Sequence, residues 1–391
     1  MLKRTIESTI DQYLKGEDHK ILFIWGPRRS GKTTLLDKLA ENLKVTKFNF
    51  DLQSDREKFA PRREILEKLI KENIATGLSG QPSVILIDEV QSYPEATVML
   101  KILYDEYKVK VIATGSSELR QKSKDFNTMA GRFTESYCLP LSIFEIAESE
   151  KVLGSEMPSY ERSLAEKLQI FGSYPEVYVK DSLTEEERTN LLENILDTYV
   201  LKDIIDIYEL KNTKLAKDIL TKIALQLGSE VSIREIADSL KANPSTVSNY
   251  IEIFVKNYIL IPLPSFKTNI RKAVSENRKL YFYDLGIRNI LVKDFRETKL
   301  RPDQGGLFEN FIVIEIEKQR RNTGALRNFY FYREYGGKEV DLVIEDYYKK
   351  YHCIEIKVQG RGGNKDIFPL PHEFTTIGQD NYFPTIANIL K

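Results

Sequence analysis

The sequence predicts an α/β chain built on a parallel sheet covered by helices on both faces. A helical stretch, a helix-turn-helix and an α+β tail are expected to follow. Three observations predict this. Between Ile21 and Ala113 short strands, apolar on both faces, alternate with helical patterns, as buried parallel strands do. Gly26-Pro27-Arg28-Arg29-Ser30-Gly31-Lys32-Thr33 fits G-x-x-x-x-G-K-[ST] and lies between such a strand and such a helix. Beyond about residue 145 helices dominate, with one short strand before about residue 265, and strands return in number only beyond about residue 305.

The elements follow in order. Leu2, Ile6, Ile10 and Leu14 recur every four positions within Met1–Lys20, which marks an amphipathic first helix. Ile21–Trp25 is the first strand. Leu35, Leu36 and Leu39 mark the next helix, and Val45–Asp51 the second strand, with Phe48 and Phe50 alternating. Ile65, Leu66, Leu69, Ile70 and Ile74 mark a further helix. Val84–Ile87 is the third strand, residues 95–107 a helix, and Val109–Ala113 the fourth strand. Residues 155–225 show helices only, broken at Gly172-Ser173-Tyr174-Pro175. Residues 230–265 show helix, turn, helix and a short strand. In the tail, the helix Gly306–Arg320 precedes strands near 328–334, 339–345 and 351–358, with Gly336-Gly337 in the first turn. Domains are expected at 1–150, 151–228 (a helical lid), 229–266 (a winged helix-turn-helix) and 267–391.

Composition narrows the function classes. The chain has 391 residues, 58 Lys plus Arg and 58 Asp plus Glu, so its formal charge is zero and a polybasic nucleic-acid coat is excluded. With 41% apolar and 30% charged residues, long-range disorder is also excluded. Two cysteines, Cys138 and Cys353, form no disulfide framework and suit a reducing compartment. Three histidines show no zinc-site spacing. No apolar run approaches the ~20 residues of a membrane span, so a cytoplasmic protein without membrane partners is expected.

The glycines of the phosphate loop permit a tight turn whose backbone N–H groups surround a phosphate, helped by the positive end of the following helix. The expected nucleotide contacts are Gly26, Pro27, Arg28, Arg29, Ser30, Gly31, Lys32, Thr33 and Thr34. Lys32 is suited to the β- and γ-phosphates, and the Thr33 hydroxyl to Mg²⁺. Val84–Ile87 ends in Asp88-Glu89. Asp88 is suited to Mg²⁺, and Glu89 to polarising an attacking water, which favours hydrolysis. After the fourth strand, Thr114 or Ser116 could bond the γ-phosphate or the water; the alternative is an ordinary hydroxyl-capped turn.

Ser232 caps Ile233–Leu240, Asn243-Pro244-Ser245 breaks the helix, and a second helix begins near Thr246. Ser245, Thr246, Ser248 and Asn249 open this recognition helix. The basic stretch 267–279, with Lys267, Arg271, Lys272, Arg278 and Lys279, suits DNA phosphates. The alternative is a packing module. In the tail, Asp341 and Glu355-Ile356-Lys357 lie on two strands joined by a turn. Glu355 and Lys357 share a face that Asp341 can reach. This is the metal-nuclease pattern of restriction-endonuclease-like folds: carboxylates hold Mg²⁺ and the lysine serves water and phosphate, with Glu309 as the further acid. The alternative is a cross-strand salt bridge. Cys353 is expected to be a buried apolar residue.

The chain resembles the prokaryotic AAA-superfamily ATPases with a carboxy-terminal restriction-endonuclease-like domain of unknown function. The residues that carry the resemblance are Gly-Pro-Arg-Arg-Ser-Gly-Lys-Thr, Leu-Ile-Asp-Glu-Val-Gln, Ala-Thr-Gly-Ser-Ser, Ala-Gly-Arg-Phe, Gly-Ser-Tyr-Pro-Glu-Val, Tyr-Phe-Tyr-Asp-Leu-Gly and Glu-Val-Asp…Glu-Ile-Lys. It implies an AAA-type sheet of order 5-1-4-3-2, ATP as the nucleotide, Ser116 near a sensor position, and Arg132 as an arginine finger acting in its own chain or across an interface. It also implies that Tyr174-Pro175-Glu176 occupies a nucleotide-side helix, although no arginine stands there. The function expected is a Mg²⁺-dependent ATPase directed to DNA, with a metal-dependent nuclease domain. The alternative is a nucleotide-dependent switch that binds protein partners or a second copy of itself, with a non-cleaving tail.

Overall fold

The computed structural model describes residues 2–43, 45–74, 84–115, 126–150, 157–179, 183–202, 208, 210, 212–267, 278–334, 337–359 and 365–390. The chain divides into two compact units, Lys3–Leu139 and Pro140–Lys391.

The first unit begins with α1 (Ile6–Lys15), which buries Ile6 and Ile10 among Leu22, Ile24, Leu36 and Ile112. Five parallel strands follow: β1 (Ile21–Trp25), β2 (Val45–Asn49), β3 (Val84–Asp88), β4 (Lys110–Gly115) and β5 (Phe133–Tyr137). Their order is β2-β3-β4-β1-β5, the 5-1-4-3-2 order that the resemblance implies. Between them lie α2 (Lys32–Asn42), α3 (Gln53–Lys58), α4 (Arg63–Ile74) and α5 (Ala96–Ile102). Every residue of β1, β3 and β4 is buried, so the apolar runs in the sequence are the sheet's centre. β2 is two residues shorter than expected, because Asn49 Oδ1 accepts the Asp51 N–H and turns the chain. The expected helix over 95–107 continues beyond α5 as a wider π-helical segment, Leu103–Tyr107, and closes at Lys108 with φ 52°.

The second unit opens with α6 (Ile143–Glu150), α7 (Met157–Phe171), α8 (Pro175–Tyr178), α9 (Glu185–Ile195) and α10 (Thr213–Leu225). Next come β6 (Glu230–Val231), α11 (Ile233–Leu240), α12 (Pro244–Lys256), β7 (Leu260–Pro264), β8 (Arg278–Phe282) and α13 (Leu285–Val292). The short strands pair antiparallel in the order β6-β8-β7. One apolar core runs from Tyr174 and Leu192 through Ile219, Ile236, Ile251 and Phe254 to Leu280 and Leu291. Helices α8 to α10, the helix-turn-helix and α13 therefore share a core, and no boundary of this core falls at 228/229 or 266/267.

The rest of this unit comprises α14 (Gln304–Thr323), β9 (Asn328–Arg333), β10 (Glu339–Glu345), β11 (Tyr351–Ile356), β12 (His372–Ile377) and α15 (Tyr382–Asn388). The sheet order is β12-β11-β10-β9, with only β11 and β12 parallel. A bulge interrupts the β9–β10 register between Val340 and Val343. Among the described residues no helix is long and apolar enough to cross a membrane.

Two motifs of the resemblance prove to be one packing joint. Gly172 has φ +72°, and a Cβ there would lie 2.0 Å from Asp284 Oδ1. Asp284 accepts the N–H groups of Ser173 at 2.6 Å and Ile287 at 3.1 Å, capping α13. A Cβ on Gly286 would lie 2.3 Å from the Phe171 carbonyl oxygen. The Lys318 ammonium donates to Leu141 O, Ser173 Oγ and Glu315, so a buried ion pair fastens α14 to the same joint.

Candidate nucleotide site

Because β1, β3 and β4 are adjacent and parallel, their carboxyl ends share one edge of the sheet. Trp25 pairs with Gly115 and Ile87 with Ala113. That edge therefore carries the phosphate loop, Asp88-Glu89 and Thr114 together, where α/β sheets bind ligands.

The loop Gly26–Gly31 leads straight into α2, whose first residue is Lys32. Arg29 (φ 60°) and Gly31 (φ 98°) lie in the left-handed region, which wraps the loop. A Cβ on Gly26 would meet the Cys138 carbonyl oxygen at 2.0 Å, so the strand behind the loop admits only glycine there. Lys32 is buried and folds back, its ammonium donating to Gly26 O at 3.0 Å and Pro27 O at 2.8 Å. Burial holds this ammonium below the ordinary lysine range, opposed chiefly by the Glu89 carboxylate. A phosphate in the cradle would oppose that shift, since a nearby negative charge favours the ammonium. Thr33 and Thr34 are exposed on the first turn of α2.

Asp88 is buried at the end of β3 and accepts the Thr114 hydroxyl at 2.5 Å. Thr114, read as a phosphate or water contact, is thus engaged in orienting Asp88. Glu89 is half-buried with φ 53°, and its carboxylate accepts the Gln91 amide. A Cβ on Gly115 would lie 2.6 Å from Gln91 Oε1, so Gly115 makes room for the group that holds Glu89. The exposed Thr33 hydroxyl and the oriented Asp88 are a fitting donor pair for Mg²⁺. Ser116 lies outside the described residues.

Arg132 corrects one half of an expectation. Its carbonyl accepts the Ile21 N–H, and β5 pairs with β1 from Phe133 opposite Ile21. It stands at the amino edge of the sheet, on the order of 13 Å of strand from the phosphate loop at roughly 3.3 Å per residue. Its guanidinium is engaged by Asp105 at 2.8 Å and Thr128 O at 3.0 Å. It does not reach the phosphate loop of its own chain.

The tail residues come together around a cation that the expectation did not include. The register that pairs Leu342 with Ile354 sets Asp341 opposite Glu355, and both are buried. Asp341 accepts the Ile356 N–H at 2.7 Å, and Lys357 pairs with Glu355 at 2.8 Å. Glu309, however, is turned to Lys279 at 2.8 Å and to the Tyr281 hydroxyl at 2.5 Å. Among the described residues no group of three or more His, Cys, Asp or Glu side chains is placed to hold a metal ion. Glu309 and Glu355 nonetheless both lie close enough to Asp341 to act on its carboxyl, and Lys279, buried between Glu309 and Glu339, adds a countercharge to these acids. Burial, reinforced by Glu309, raises the Asp341 carboxyl to about 7. The same geometry revises the basic stretch: Lys279 is buried, Arg278 pairs with Glu252 at 2.7 Å, and residues 268–277 lie outside the described residues. The Cys353 thiol is buried and pushed up to about 12, as an inert core residue should be.

A parallel sheet with this loop and acidic strand end defines a P-loop nucleotide-binding domain. Residues 18–147 match the AAA domain family, and the chain is an ATPase. Residues 162–298 and 304–376 match two domains of unknown function (DUF8612 and DUF4143). An uncharacterized protein of Methanocaldococcus jannaschii is 26% identical over 338 residues, covering 83% of this chain and 72% of its own length. One of Haemophilus influenzae is 22% identical over 324 residues, covering 79% of this chain and 78% of its own. Among solved structures, the ORC1 protein of Aeropyrum pernix in complex with DNA aligns at TM-score 0.31 and 16% identity, covering 75% of this chain and 93% of that one. A STAND-type signal transduction ATPase of Pyrococcus horikoshii aligns at TM-score 0.24 and 16% identity, covering 83% and 50%. Overlaps this loose describe neither partner nor substrate.

Proposed function

We propose that this chain hydrolyses ATP with Mg²⁺ at the loop Gly26–Thr33 and uses the reaction to control binding of DNA. The observation that carries the reading is the meeting of Lys32, Asp88 and Glu89 at one sheet edge. Lys32 exchanges its loop carbonyls for the β- and γ-phosphates, and Glu89 orients a water toward the γ-phosphate. Thr33 and Asp88 would hold Mg²⁺, which supplies charge neutralisation on the phosphates. Arg132 at the amino edge is suited to a second copy of the chain rather than its own nucleotide. Glu89→Gln is expected to keep ATP affinity and to lose turnover by ~10²-fold or more; unchanged turnover would remove Glu89 from the reaction.

DNA contact is proposed for α11 and α12 with the antiparallel strands β7 and β8, on the proposal that these elements act as a winged helix. Ser245 and Asn249 are exposed at the start of α12, and Arg234 and Lys241 are exposed on and after α11. Among the described residues the exposed cations there are few, so the contact should be weak and only moderately salt-dependent. Mobility shifts of duplex DNA over a salt series test it, and no shift at low salt rejects it. A second reading has the tail domain as a non-cleaving, charge-paired scaffold. Lys279 between Glu309 and Glu339 favours it. Mg²⁺-dependent plasmid cleavage that Asp341→Ala abolishes would reject this second reading.

A further inference from the structure

The phosphate loop is gripped from behind by a residue its motif does not contain. Arg4 is buried just ahead of α1. Its guanidinium donates through Nη1 to Ser30 O at 2.7 Å and through Nη2 to Leu139 O at 2.5 Å. A Cβ on Gly31 would lie 3.2 Å from the same Nη1. The guanidinium therefore packs against the Ser30–Gly31 peptide, immediately before Lys32. Arg4 is itself fixed: its N–H donates to Glu7 Oε1 at 2.9 Å, and Ile6 and Ile10 anchor α1 in the core. Leu139 is fixed too, because the N–H of its neighbour Cys138 donates to Trp25 O at 2.8 Å.

From this geometry we infer that Arg4 is a positioning residue for the triphosphate. In a trans peptide the C=O and N–H point in opposite directions. A charged donor on Ser30 O sets the direction of the Gly31 N–H on the other side and polarises it as a donor. The guanidinium also places a fixed positive charge behind a loop that must hold an anion, in surroundings where screening is weak. The charge and the fork act together, so a neutral amide cannot replace them and an ammonium can replace only the charge.

The inference rests on the nucleotide reading of the loop, and the test separates the two. The full-length wild type, Arg4→Gln and Arg4→Lys are titrated with ATP in Mg²⁺ by calorimetry, and the melting temperature of each is taken without nucleotide. Arg4→Gln is expected to weaken ATP about tenfold, the scale of one lost charged hydrogen bond, and Arg4→Lys to recover part of that loss. Arg4→Gln binding ATP within twofold of wild type, or Arg4→Lys no better than Arg4→Gln, overturns the inference whatever the melting temperatures. Should Arg4→Gln fail to fold, Arg4→Lys must still bind at least threefold more weakly than wild type, and wild-type affinity overturns the inference. A wild type that binds no ATP overturns the nucleotide reading itself and the role of Arg4 with it.

Discussion

At Glu89 the backbone is left-handed, an unusual conformation for a glutamate, and the side chain is held by Gln91. Gly115 leaves the space Gln91 occupies, since a Cβ there would meet Gln91 Oε1 at 2.6 Å and Val90 Cγ1 at 2.9 Å. Gly115→Ala is expected to displace Gln91 and release Glu89, lowering kcat about tenfold while the Kd for ATP stays within about threefold; steady-state kinetics beside calorimetry checks this. Asp341 gives a second prediction at this scale. Its folded-state value of about 7 lies above the ordinary aspartate value, so the folded state holds the proton more tightly. The stability Asp341 contributes is present at low pH and is lost as pH rises from about 4 through about 7. Asp341→Asn, which keeps an acceptor for the Ile356 N–H, should remove that slope. It should exceed wild-type stability at pH 8 by on the order of 2 kcal/mol, as read from urea unfolding in chelator at pH 5 and pH 8. The Gly-Lys-Thr loop and Asp88-Glu89 were legible because each is a short motif read in sequence. Arg4 and Lys279 were not, because their partners lie 26 and 30 residues away; Gln91 stands two residues from Glu89 in the Leu-Ile-Asp-Glu-Val-Gln motif, but no pattern in that motif gives it a role.

The joint between Gly172-Ser173 and Asp284–Gly286 belongs to the scale of elements. It seats the start of α13 against the end of α7 through backbone contacts that leave no room for a methyl group. Gly286→Ala should therefore cost about 2 kcal/mol or more, since the Phe171 backbone cannot move aside. Gly305→Ala, on α14 with nothing within 4 Å of its Cβ, should stabilise by about 0.5–1 kcal/mol. Paired thermal melts compare them, and equal shifts would contradict the packing account. The elements themselves were legible where period and burial agree, as in β1, β3 and β4. β5 was not legible as an apolar run, because Phe133–Tyr137 is a half-buried edge strand and reads as mixed polarity. α14 shows little amphipathicity because residues from Leu307 to Lys318 are buried nearly all round.

For the whole molecule, the sequence pattern announced a change of architecture after the parallel sheet, and the compact units divide at Leu139 and Pro140. Finer boundaries were not legible, because the helical segments before and after residue 228 are each amphipathic by themselves. Only their packing shows that they fill one core. The chemistry of the tail is half legible in the sequence: strand alternation puts Asp341 across from Glu355, while the countercharge from Lys279 depends on β8, whose residues show in sequence only as part of a basic stretch. Everything proposed for the intact chain begins with a nucleotide in the loop around Lys32. The most direct measurement is calorimetric titration of ATP into the purified chain with Mg²⁺ present, for wild type and Lys32→Ala. Saturable heat from the wild type, lost or weakened at least about tenfold in Lys32→Ala, is the predicted result; no heat from the wild type, or equal heat from both, contradicts it.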